Sequence, residues 1–153
     1  MDHVAVDHSL QQLVDHREIT DLVHRLGVAL DEGRFDEMRS LFVEAATART
    51  PGGMAEGRDA VIAQASRNHG PGQRIQHNTT NVLIELDDDR ATVRANLVVH
   101  FAPVADASEP PLAPATRFTL GAVYRFDVVR TPQGWRCSRV ETSPVWMSGS
   151  QDR

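Results

Sequence analysis

The sequence predicts an α+β domain, with three N-terminal helices packed on the concave face of a curved antiparallel sheet. Apolar residues recur at three- and four-residue steps in the first half of the chain, the period of amphipathic helices. The second half changes to long strand-like runs joined by short turns, and helices followed by consecutive strands are the α+β pattern. The longest apolar helix comes first, which makes it the natural filler of the concave side.

Residues 1–14 are polar and lack a clear period, and are expected to form a loose arm. From Asp15, the stripe Ile19, Leu22, Val23, Leu26 and Leu30 predicts the first helix, with Gly33 a suitable stop. A second, short helix carries Phe35, Met38, Leu41 and Phe42 on one side. Ala46–Thr50 is a short strand before the Pro51-Gly52-Gly53 turn. Ala60, Val61, Ile62 and Ala65 mark a third helix from Asp59 to about Asn68, ended by Gly70-Pro71-Gly72.

Four strands follow. Ile75–Leu86 and Ala91–Ala102 form a hairpin across Asp87-Asp88-Asp89-Arg90, and Phe118–Arg130 and Trp135–Val145 form another across Thr131-Pro132-Gln133-Gly134. The intervening Pro103–Pro114 is too proline-rich for a strand and reads as a flexible flap. The main domain therefore covers residues 15–147, with 148–153 a flexible tail.

A chain of 153 residues favours one domain and buries enough surface for a core without disulfides or metals. The net charge is -5, and no basic stripe is present, so nucleic acid is not an expected partner. No apolar run approaches the roughly 20 residues that span a bilayer, and no leader pattern opens the sequence. The single cysteine, Cys137, fits a reducing cytoplasm and a buried structural thiol. All 16 basic residues are Arg, so lysine Schiff-base chemistry is excluded, and proton transfer falls to His, Asp, Glu, Tyr or Cys.

The chain resembles the SnoaL-like, nuclear-transport-factor-2-like superfamily over roughly residues 15–146. The resemblance rests on Glu18-Ile19-Thr20-Asp21-Leu22, Leu30-Asp31-Glu32-Gly33-Arg34-Phe35-Asp36, Gln76-His77-Asn78-Thr79-Thr80-Asn81-Val82, Ala91-Thr92-Val93-Arg94-Ala95, Tyr124-Arg125-Phe126 and Gly134-Trp135-Arg136, in that order and spacing. It implies a cone-shaped domain with a small-molecule pocket between helices and sheet, and assembly as a homodimer or homotrimer. Within the superfamily the chain is most similar to the scytalone dehydratase branch, which carries an Asp at the end of the first helix and two pocket histidines on adjacent strands. Asp31, His77 and His100 stand at matching places. The two substrate-polarising tyrosines of that branch have no counterpart. Leu30 precedes Asp31, Ala46–Thr50 contains no Tyr, and Tyr124 is the only tyrosine.

Counted from the turn, His77 and His100 lie nearly opposite each other, at a cross-strand spacing of about 5 Å, with a one-residue bulge bringing them into strict register. Two imidazoles and a carboxylate in one cavity form a proton-transfer set. A neutral imidazole with its ordinary pKa of ~6.5 acts as base, and Asp31 orients one ring and stabilises its protonated form. Such oriented groups are each worth about 10²–10⁴-fold. Asp31, His77 and His100 are thus the candidate catalytic residues. Leu30, Asn81, Tyr124 and Trp146 are the candidate substrate-binding ones, and Asn81, Asn96, Tyr124 and Trp146 are the candidate donors to a developing oxyanion.

The set needs no cofactor. Two His and one carboxylate also suggest an iron triad, but they come from three separate elements without ligand spacing, so no metal is expected. Asp87-Asp88-Asp89 lacks the Gly and distant Glu of a calcium loop. His3, His8, His16, His24 and His69 form no cluster and are expected at the surface. Arg125, Arg130, Arg136 and Arg139 are expected to face outward from the last hairpin, and Trp135 to be packing. The expected function is a cofactor-independent dehydratase, isomerase or cyclase acting on a small, mostly apolar, oxygenated molecule of polyketide, aromatic or steroid-like kind. The alternative is a non-catalytic ligand-binding protein or accessory subunit, as the small subunits of ring-hydroxylating dioxygenases are.

Overall fold

The computed structural model describes residues 3–104 and 116–150. Helix α1 spans His3–Glu32, and a short 3-10 helix covers Phe35–Ser40. Strands β1 (Phe42–Thr50) and β2 (Gly53–Glu56) come next, then helix α2 (Arg58–Asn68). Strands β3 (Gln73–Asp87), β4 (Arg90–Pro103), β5 (Phe118–Thr131) and β6 (Gly134–Gly149) complete the chain. All six strands form one curved, open sheet in the order β2-β1-β6-β5-β4-β3, parallel at the β1–β6 pair and antiparallel elsewhere. The fold is α+β with the helices packed on the sheet. β2 is an element that the Pro51-Gly52-Gly53 turn did not announce.

The helical stripe behaves as its spacing requires: Ile19, Leu22, Val23, Leu26 and Leu30 are all buried. They meet the inward residues of the sheet, such as Val93, Leu97, Phe126 and Val128. Each fully buried aliphatic side chain contributes about 1.5–3 kcal/mol relative to exposure. The expected loose arm differs. α1 begins at His3, because residues 3–14 contain no Gly or Pro and continue the helix by one ladder of backbone bonds. That stretch reaches past the core, leaving Leu10, Leu13 and Val14 exposed. The expected tail also begins later, since β6 runs to Gly149. The proposed flap lies, beyond Val104, outside the described residues.

Asp15 fixes α1 to the last hairpin. Its carboxylate accepts two bonds from the Arg130 guanidinium, at 2.7 and 2.8 Å, and one from Trp135 Nε1 at 3.1 Å. Arg130 also stacks over the Trp135 ring and bonds Asp89 in the β3–β4 turn. Arg130 therefore does not face outward as expected; a buried carboxylate without a cation would be costly, and this one draws the guanidinium in. Trp135 is packing, as expected, and is buried. Burial pushes the Cys137 thiol up to about 12, which keeps it an inert structural group. Among the described residues no helix is long and apolar enough to cross a membrane.

Candidate active site

Asp31 and His77 meet where the end of α1 crosses the sheet's edge strand. As the edge, β3 pairs on one side only, with β4, and the His77 backbone N–H donates to both Asp31 oxygens, at 2.9 and 3.0 Å. The same carboxylate lies 2.6 Å from His77 Nδ1. A carboxylate only accepts, so Nδ1 carries the proton, and in the neutral ring Nε2 keeps a free lone pair. α1 packs on His77 at Gly27, where an added methyl group would meet His77 Cβ at an ordinary contact distance of 3.5 Å. The His77 side chain is 4% exposed and lines a cavity of about 810 Å³. Arg34, an alternative partner for Asp31, is bound to Glu32 at 2.6 Å instead.

The cavity lies between α1, α2 and the sheet, and most of its wall is apolar: Leu26, Leu30, Phe42, Val99, Phe118 and Leu120 among others. Its volume suits a small organic ligand. Leu30 and Tyr124, two of the expected substrate-binding residues, face it. Tyr124 is buried, and its hydroxyl is held above the ordinary tyrosine range by burial first and then by the negative charge of Asp31. It therefore stays protonated and able to donate.

His100 is not part of this cavity. His77 pairs with Val99, while His100 pairs with Gln76 and bonds Thr119 Oγ1 at 3.1 Å. Since successive strand residues point to opposite faces, His100 lies on the sheet face away from His77. The cause is a bulge, but not one that aligns the histidines. Near the turn Leu83 faces Arg94; beyond Asn81-Val82, Thr80 faces Asn96. Three steps along β3 thus match two along β4, and the odd-numbered residues of β3 turn inward from there on. A bulge-free hairpin would have placed His77 opposite His100. Asn81, with φ 52°, is the bulge itself and is exposed, so it does not bind in the cavity. Asn96 shares the outer face with His100 and accepts from Arg94.

Trp146 is likewise misplaced by the expectation. It pairs with Gly121, which belongs to the outward set of β5, and its indole covers that glycine so closely that a Cβ there would collide with it. Trp146 caps the outer face and not the pocket mouth.

His69 and Gln64 are among the polar groups at the cavity that the sequence did not mark. His69, expected at the surface, follows α2, and its ring centroid is 5.3 Å from that of His77. Its Nδ1–H donates to the Ala65 carbonyl at 2.8 Å, which leaves Nε2 as an acceptor. Burial holds this imidazole down at about 4, so it is neutral at physiological pH. Gln64, on α2, is 5% exposed. Its place in the i, i+3 series with Val61 was the available signal, although a lone Gln on an apolar helix face reads as exposed. Among the described residues no three His, Cys, Asp or Glu side chains converge as metal ligands.

The comparisons with known proteins agree with this architecture. The model of the SnoaL-like domain family matches residues 11–141. The uncharacterized protein Rv2910c of Mycobacterium tuberculosis is 33% identical over 138 residues, covering 88% of each chain. An NTF2-like protein with a cystatin-like fold from Novosphingobium aromaticivorans superposes with a TM-score of 0.78 at 25% identity, over 98% of this chain and 93% of that one. A protein of the same organism, provisionally named a scytalone dehydratase, gives 0.79 at 24% identity over 95% and 93%. The hexachlorocyclohexane dehydrochlorinase LinA gives 0.78 at 17% identity over 95% of both chains. At these identities the last two likenesses speak for the fold alone. With the domain model covering most of its length, the chain belongs to the SnoaL-like family.

Proposed function

We propose that the protein is a cofactor-independent general acid/base enzyme that removes a proton beside a carbonyl in a small, mostly apolar molecule. The observation that carries this reading is the Asp31–His77 pair: the carboxylate takes Nδ1–H at 2.6 Å and fixes the ring, so that Nε2 is the basic atom at the cavity wall. Proton capture at Nε2 creates an imidazolium beside a carboxylate, on a buried side chain where that attraction is stronger than in bulk water. The captured proton is then returned to another atom of the substrate. Return to carbon is isomerisation, and return to a leaving hydroxyl is dehydration, the chemistry named in a structural relative. His69, neutral and 5.3 Å away, adds an acceptor for a substrate hydroxyl next to the base.

The rival reading, a non-catalytic pocket protein, has one observation in its favour. Only one of the two expected strand histidines reaches the cavity. Exchange of the C1 protons of 2-tetralone with deuterated water, followed by NMR, separates the two. The enzyme reading expects exchange above the buffer rate, lowered by about 10²–10⁴-fold in His77→Ala. Wild-type protein without exchange above buffer, or a His77→Ala variant as fast as wild type, would sink it.

A further inference from the structure

Gln64 has no task in the fold. It stands between Val61 and Ala65 at the cavity wall, where an aliphatic side chain would pack as well. Among the described residues none hydrogen-bonds its carboxamide. Burying an amide without a partner is unfavourable. Among the described residues, Arg58 Nε is the one side-chain atom both sealed from solvent and unpartnered, so the Gln64 amide is not sealed in packed protein. As the residue is itself buried, the space it opens on is the cavity it lines.

We propose that Gln64 anchors a substrate carbonyl, donating an amide N–H to the oxygen that becomes negative when His77 takes the neighbouring proton. This rests on the proton-abstraction reading above. In the step, the C–H bond breaks, its proton goes to His77 Nε2, and its electron pair forms the C=C bond while the carbonyl π pair moves onto oxygen. The developing enolate oxygen needs donors that are already in place, and such donors are worth more in a dry site than in water. Gln64 from α2 and Tyr124 from β5 are two donors on separate elements, and neither is used by the protein. The Gln64 amide keeps its protons at every working pH. The assignment narrows the substrate class to apolar carbonyl compounds with an acidic α-carbon. An alkyl halide would leave the amide unpaired and gain nothing from it.

Ionised 2-naphthol, a planar anion whose oxygen stands in for that of an enolate, tests the anchor, with naphthalene as the apolar control. Wild-type protein is expected to bind the naphtholate more tightly than naphthalene. Gln64→Leu should lower naphtholate affinity by about tenfold or more, with naphthalene affinity within about twofold. Gln64→Glu, equal in size but carrying a carboxylate, should lose at least as much, and it carries the test if the Leu variant fails to fold. A naphtholate-to-naphthalene ratio unchanged in a folded variant overturns the proposal, as does a wild-type protein with no preference for the anion. His77→Ala should keep the Gln64-dependent preference while losing 2-tetralone exchange. A wild-type protein with the preference but no exchange removes the base and leaves the anchor standing.

Discussion

Helix α1 sends two carboxylates to the sheet, and the contrast between them separates scaffold from chemistry. Asp15 and Asp31 lie sixteen residues apart on one helix, about 24 Å along its axis. At Asp15 the partners are a guanidinium that stays charged and the N–H groups of the Trp135 indole and the Gln11 amide, which only donate. Nothing there changes state, and the network ties α1 to two hairpin turns. At Asp31 the partner is an imidazole with a second nitrogen at a cavity wall. The same acid chemistry is a fastener in one place and, in the proposed reaction, the orienting half of a base in the other. What differs is whether the partner has an atom left over.

Removing the fastener should have the largest effect. Asp15→Ala leaves the Trp135 N–H without its acceptor and the Arg130 guanidinium with only the β3–β4 turn to bond, and unfolding by denaturant should show a loss of about 3 kcal/mol. The variant that remains folded should exchange 2-tetralone protons at nearly the wild-type rate. Asp31→Asn should reverse this pattern. The amide no longer enforces the Nδ1–H tautomer or stabilises the imidazolium, so exchange should fall by about 10²-fold, with stability changed by under about 1.5 kcal/mol. If Asp31→Asn unfolded the protein while Asp15→Ala slowed exchange, the two ends would have been assigned the wrong way round.

Acid titration sharpens the comparison. Hydrogen bonds from Arg130, against an opposing effect of burial, hold the Asp15 carboxyl at about 2. The unfolded chain binds this proton more readily, so the stability Asp15 contributes is complete above the ordinary carboxylate range, about pH 4, and is lost as pH falls towards 2. His69 acts in a higher window. Its folded value of about 4 lies below the 6.5 of a free imidazole. Stability should therefore fall as pH drops from 6.5 to 4, by up to about 1.4 kcal/mol per pH unit, and His69→Gln should flatten that slope. A slope between those values unchanged in His69→Gln would mean that the ring is not buried in its neutral form.

The smallest effect belongs to His100. Facing Thr119 on the outer side of the sheet, its replacement by Ala should alter exchange by less than about twofold. A large loss there would restore the two-strand-histidine arrangement that the register excludes.

Fold class, the buried stripe of α1 and the four long strands were legible in the sequence because each is written in a local period: 3.6 for Ile19 to Leu30, and two for β4, whose residues from Ala91 to Val99 alternate inward and outward. Order and family resemblance picked out Asp31 and His77, which are in contact, and Leu30 and Tyr124, which line the cavity beside them. Tertiary structure alone decided which faces met. One extra residue at Asn81-Val82 reversed the parity of the inner half of β3 and parted His77 from His100. Packing of α2 against the sheet brought in Gln64, which shares the Val61 face but reads as exposed by its polarity, and His69, which follows the helix and belongs to no period. A local pattern fixes which residues of an element share a side. Which side becomes a cavity wall depends on contacts between residues distant in the chain.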